Sequence, residues 1–146
     1  MTDRMSTVEY RRLMAGNASL RAPGKGKYKN KAVVINGKRF DRVLEGNYYV
    51  ELLRQMELGH VLYFHRQVPI DLSMKAKDVY RVDFQVFKSD GTIEYIDNKG
   101  IETQVFKLKR NLIEAHSPFT LKLVKSKDTP KHLDTMVPDV NGNYKT

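Results

Sequence analysis

Asp83, Asp97 and Lys99 stand in two short runs whose spacing brings acid and amine together if the runs pair. Val79 to Phe87 alternates, with Tyr80, Val82, Phe84 and Val86 expected on one face and Arg81, Asp83 and Gln85 on the other. Ser89-Asp90-Gly91 reads as a three-residue hairpin loop with Gly91 at the left-handed position. Lys88 then faces Thr92, and a second strand runs back from Thr92 to Lys99. Counting inward from this turn sets Asp83 opposite Asp97. Directly opposed residues have Cβ atoms about 4.5–5.5 Å apart, and like charges there are destabilising. A divalent cation removes that cost, because Mg²⁺ takes hard oxygen ligands, keeps several waters, and is held by one or two carboxylates plus substrate phosphate. Lys99, two residues after Asp97, shares its face. An ammonium there orients an attacking water or stabilises charge building on a phosphorus-bound oxygen.

The elements around this hairpin must hold it. Residues 42–58 read as a helix, with Leu44, Tyr48 and Leu52 on one stripe and Tyr49, Leu53 and Met56 on the next. Asp41 is its expected N-cap and Gly59 its C′ residue. Glu45, in the first turn, borders the buried stripe and can point at the sheet. Before the helix, Asn36-Gly37 between Ala32–Ile35 and Lys38–Phe40 predicts a tight hairpin, since both central residues need positive φ. After it, Val61 to Leu72 is strand-like, and Lys75 to Asp78 is a polar connection. Gly100 ends the second strand of the acidic hairpin. Residues 103–116 form a second helix, with Val105, Leu108 and Leu112 on one stripe and Phe106 and Ile113 beside it, ending at Ser117-Pro118. Phe119 to Val124 is a last strand. A helix between the third and fourth strands makes a parallel crossover, while the earlier strands pair antiparallel. The expected core is αβββαβ, an α/β fold with a mixed central sheet flanked by helices.

Charge and composition narrow the partner. The chain has 146 residues, one domain's worth, and carries a formal net charge of +9. Most of the excess lies in residues 1–31, where eight basic groups face only Asp3 and Glu9. This basic arm, with a short helix expected from Ser6 to Gly16 and a linker over 22–27, precedes a nearly balanced body over 32–125. A polar segment over 126–146 is expected to be loosely held. Such a balance suits a polyanion, because phosphate contacts release counterions. Cysteine is absent, which excludes thiolate metal sites and thiol nucleophiles. No apolar run of about 18 residues is present, so no membrane span is expected. The start, Met1-Thr2-Asp3-Arg4, does not read as a secretory signal, and a cytoplasmic location is expected. Gly24-Lys25-Gly26-Lys27 lacks the spacing of a phosphate-binding loop. His60, His65, His116 and His132 lack metal-site spacing and read as structural, although His65 and Gln67 share a strand face that could line a cleft.

Taken in order, Glu45, Asp83 and Asp97-Asn98-Lys99 on an αβββαβ framework resemble the PD-(D/E)xK nuclease superfamily. Lys27-Tyr28-Lys29-Asn30-Lys31, Phe40-Asp41, Tyr48-Tyr49, Gln67-Val68-Pro69, Val82-Asp83-Phe84, Asp97-Asn98-Lys99-Gly100 and Phe106-Lys107-Leu108-Lys109-Arg110 look like a small phage-borne branch of it, over roughly residues 25–125. The resemblance implies a restriction-endonuclease-like core in which Asp83 and Asp97 ligate Mg²⁺ or Mn²⁺. The Asn98 backbone carbonyl would be a further ligand, Lys99 would assist the nucleophilic water, and Glu45 would help bind or position the metal. Two departures stand out: Val82 replaces the proline of the motif, and Asp97 stands where glutamate is more frequent.

The resemblance thus implies an Mg²⁺-dependent DNA endonuclease, in the host cytoplasm if phage-encoded. Small members of the superfamily include junction-resolving enzymes that act as dimers, so branched DNA and a homodimer are the expected substrate and assembly. Lys25, Lys27, Lys29 and Lys31 of the arm and Lys107, Lys109 and Arg110 on the exposed side of the second helix are candidate phosphate contacts. Gln104 and Gln67 are further candidate site residues. The competing readings are a nucleic-acid-binding protein on the same fold without turnover, and an assembly protein whose arm meets an acidic partner.

Overall fold

Asn36 and Gly37 both take left-handed backbone angles, with φ of 52° and 77°. This closes β1 (Val33–Ile35) on β2 (Lys38–Phe40) through the expected two-residue turn. The structure is a computed structural model that describes residues 31–72, 79–99, 102–118 and 120–146. The expected helix over 6–16, the linker over 22–27, Lys25, Lys27, Tyr28, Lys29, the 75–78 connection, Gly100 and Phe119 lie outside the described residues, as does the side chain of His116.

The first helix, α1 (Val43–Glu57), starts one residue later than expected. Arg42 is the N-cap, with an extended backbone and no side-chain cap, while Asp41 is exposed beside Arg39. A guanidinium only donates, so it cannot take the free N–H groups of the first turn. At the other end Gly59 follows Leu58 with φ 79°, the C′ role expected of it. The buried face of α1 is Glu45, Gly46, Asn47, Tyr49 and Leu52, a more polar stripe than apolar periodicity suggests; Leu44 is only half-buried. Gly46 lets α1 press on the hairpin. A Cβ there would stand 2.8 Å from Val33 Cγ2 and 3.0 Å from Ile35 Cδ1.

Four strands form the main sheet: β3 (Val61–Asp71), β4 (Val79–Lys88), β5 (Ile93–Lys99) and β6 (Leu121–Lys125), in the order β3-β4-β5-β6. The first three pair antiparallel, and β5 and β6 pair in parallel across α2 (Gln104–His116). The αβββαβ order and the mixed sheet are therefore present. Helix α2 opens on Thr103, whose Oγ1 accepts the Phe106 N–H at 3.2 Å. It buries Phe106, Leu112 and Ile113, leaving Val105 and Leu108 half-buried. No described helix is long and apolar enough to cross a membrane.

The β4–β5 turn is the three-residue loop expected. Lys88 N–H donates to the Thr92 carbonyl at 2.9 Å, and Gly91 has φ 88°. The alternation of β4, however, is not continuous. Phe84 and Val86 pack in the cluster under α1, whereas Tyr80 and Val82 pack in the cluster under α2. Val82, Asp83 and Phe84 are consecutively buried. On the neighbouring strand Gln67 has φ 50°, and the β3–β4 ladder passes from Arg66↔Phe84 to Val68↔Val82 without a Gln67–Asp83 pair. Both strands break step at the same level, so residues of one parity do not share one core.

The segment after Lys125 is polar but not loosely held, contrary to expectation. A 3₁₀ turn (Ser126–Asp128) leads to the short helix α3 (His132–Thr135) and to β7 (Asn143–Tyr144). Strand β7 pairs in parallel with β1, completing a second sheet of order β2-β1-β7. Leu133 is buried in the α1 cluster, and its N–H donates to Asn47 Oδ1 at 2.9 Å. His132 Nε2 lies 2.6 Å from Glu51 Oε2. Leu133, with Met136 and Tyr144 beside it, the Asn47 amide, the Glu51 contact and the pairing with β1 together hold the segment, which composition alone does not reveal.

Candidate functional site

Asp83 and Asp97 meet where the β4–β5 ladder ends. Phe84 pairs with Ile96, and one step further the main-chain bond gives way to a side-chain one: Asn98 N–H donates to Asp83 Oδ2 at 2.8 Å. Both aspartates are buried, at 7% and 2% exposure. Asp97 Oδ2 accepts the Tyr80 hydroxyl and lies 3.5 Å from Lys99 Nζ. Lys99 is a third exposed, enough to reach a ligand from the site.

Glu45 joins them from α1. It occupies the first turn, where the helix dipole favours an acid, yet it is buried rather than turned to water. Gln67 Nε2 donates to Glu45 Oε1 at 2.8 Å and to Asp83 Oδ1 at 3.3 Å. The left-handed angle at Gln67 is uncommon for a residue of its type, and such outliers persist only where the surroundings fix them. The three acids and one amine named from the sequence thus stand together.

Arg42 is the unexpected member. Its guanidinium donates to the Asn98 carbonyl at 2.7 Å and reaches Asp83 Oδ2 at 3.5 Å. Sequence signals for it are weak, because capping rules draw attention to Asp41 instead. Its one clue is its place three residues before Glu45, which puts the two on neighbouring ground at the helix start. Tyr80 is likewise new to the site, having read as core.

Electrostatics mark a shortage of positive charge. Burial pushes the Asp83 carboxyl up to about 7, and the nearby Asp97 charge adds to this. The Asn98 N–H opposes the rise, while a hydrogen bond shared with Asp97 and the charge of Glu45 reinforce it. Glu45 is also raised, by burial above all, against the pull of Gln67, Arg42 and Arg66.

The donor chemistry fits a hard divalent ion: carboxylate oxygens of Asp83 and Asp97, the Asn98 carbonyl, and Glu45 linked through Gln67. These oxygens are not drawn round one point. Among the described residues no three His, Cys, Asp or Glu side chains stand ready to hold a metal. An ion such as Mg²⁺, which keeps several waters, needs only one or two of them directly.

The remaining candidates stand apart. Lys31 and Lys107 are exposed, as is Gln104 at the start of α2. Lys109 and Arg110 do not form a free basic face with Lys107: Lys109 Nζ lies 5.4 Å from the Tyr80 ring centre, and Arg110 pairs with Glu102 at 2.7 Å. Competition from a local acid and a ring explains the difference. His65 packs edge-on between the rings of Tyr63 and Phe87 rather than beside Gln67, whose turned backbone separates the two.

Residues 25–133 match the model of a family described as a protein of unknown function, DUF1064. The chain belongs to the DUF1064 family. The DUF1064 match takes in Arg42, Glu45, Gln67, Asp83, Asp97 and Lys99, and ends on Leu133, the residue that docks the C-terminal segment. It also runs across both expected boundaries, from the basic arm into the body and from the body into the segment after Lys125. No curated protein and no solved structure matches the chain.

Proposed function

We propose that this DUF1064 protein is a metal-dependent DNA endonuclease of the PD-(D/E)xK type, built on a restriction-endonuclease-like core. The observation that carries the reading is the gathering of buried Glu45, Asp83 and Asp97 in one region beside Lys99, with Gln67 joining Glu45 to Asp83. Such a concentration of desolvated acids costs stability unless a cation or a reaction requires it.

Asp83, Asp97 and the Asn98 carbonyl would hold Mg²⁺ or Mn²⁺, with Glu45 steadied by Gln67 at the margin. When bound, the ion supplies Lewis-acid polarisation of the phosphodiester and of the attacking water. Tyr80 and Lys99 fix the direction of the Asp97 carboxylate from two sides. Lys99 Nζ also orients the water and balances negative charge as the water oxygen bonds to phosphorus and the bond to one sugar oxygen breaks, that oxygen leaving protonated as the sugar hydroxyl. The exposed Lys31 and Lys107, with the basic arm, supply phosphate contacts. Branched DNA cut by a homodimer is the substrate and assembly this reading favours.

The test is an Mg²⁺ and Mn²⁺ cleavage assay on single-stranded, duplex, nicked, flap and four-way DNA. Asp83→Asn and Lys99→Ala should each abolish metal-dependent cutting while leaving DNA binding largely intact. Unchanged cutting by purified Asp83→Asn would refute the site. One observation favours the second reading, a DNA-binding protein without turnover: Arg42 already partly neutralises the acids. Salt-dependent DNA binding with no cutting under any divalent ion would select it.

A further inference from the structure

We infer that Arg42 is an internal stand-in for the divalent cation, holding the metal-free site together and competing with the ion for the same oxygens. The inference rests on the metal site proposed above and adds a control that the site residues alone do not provide.

The argument is geometric. The guanidinium sits on the Asn98 carbonyl at 2.7 Å and Asp83 Oδ2 at 3.5 Å, two of the atoms a hard cation would need. A carbonyl already accepting from arginine and a carboxylate already facing it are poorer metal donors until the side chain leaves. The side chain can leave: it is 26% exposed, and it starts at the helix N-cap rather than inside a helical turn. Its position is also locally unfavourable. An arginine cannot accept the free N–H groups of the first turn, so α1 has no side-chain cap where the guanidinium meets the site. Once displaced, a planar five-donor fork at the site mouth is suited to a phosphate oxygen of the nucleic acid.

The test is calorimetric titration of Mn²⁺ into the whole protein and into Arg42→Gln, with circular dichroism to verify folding. The variant should bind Mn²⁺ on the order of tenfold more tightly, within the range usual for one interaction coupled to another. It should also gain more thermal stability from saturating Mn²⁺ than the unaltered protein does. Equal or weaker binding by a folded Arg42→Gln overturns the inference and leaves the metal site standing. Absence of uptake by both proteins overturns the inference together with the metal site. Should Arg42→Gln fail to fold, nitrogen NMR of the arginine side chains in the unaltered protein decides: the Arg42 signal should move in step with Mg²⁺ saturation, and an unmoved signal at saturation overturns the competition.

Discussion

Gln67 Nε2 stands 2.8 Å from Glu45 Oε1, so an amide on a sheet strand pins a helix carboxylate inside the protein. The same nitrogen reaches Asp83, which makes Gln67 the link between α1 and β4, two of the three elements that bring acids to the site. Burial without this amide would leave two raised carboxyl groups with no shared hydrogen-bond donor.

Gln67→Ala should therefore destabilise the protein by about 1–3 kcal/mol, the usual consequence of orphaning buried polar groups. Urea unfolding at neutral pH measures it. Gln67→Asn keeps the amide and tolerates the left-handed angle, so it should retain more stability than the alanine variant. Equal losses from both would remove the bridging role.

Asp83 sets a pH dependence whose sign follows from its raised carboxyl. Its folded value of about 7 lies above the unfolded value near 3.9, so the folded state binds the extra proton between them. That stabilisation is fully present below about pH 4 and is lost as pH rises through 7. In chelator, urea midpoints should fall from pH 5 to pH 8, and Asp83→Asn should flatten that slope. Mg²⁺ should stabilise the protein at pH 8 and do little at pH 5, a contrast that thermal melts would show.

Leu133 is the anchor of the segment that follows β6. Leu133→Ala should cost about 2–4 kcal/mol, because a buried leucine is lost from a packed cluster. Asn47→Ala should also destabilise by removing the acceptor of the Leu133 N–H. Chemical unfolding of each variant checks both. Wild-type stability in Leu133→Ala would mean that the segment is not held as described.

Much of the site was legible because its geometry is local. The three-residue turn around Gly91 fixes the β4–β5 register, and that register alone sets Asp83 beside Asp97. Glu45 was legible from its place at the edge of an apolar stripe. Arg42 was not, since capping preferences describe what helices favour and Arg42 departs from them. Gln67 is legible as a candidate but not as the bridge between acids: strand alternation gives it the face of His65, and nothing in a glutamine announces a left-handed backbone. The order of the segment over 126–146 is not legible, because one leucine and a two-residue pairing with β1 carry little weight in a polar stretch.

The change of step at Gln67 and Asp83 divides strands that look continuous. Residues of β4 on either side of Asp83 lean on different hydrophobic clusters, one beneath each long helix. Local opening of either cluster then exposes one half of the strand to solvent hydrogen while the other half stays closed. Amide exchange along β4 should fall into two blocks with separate opening energies, and the acids lie on the border between them.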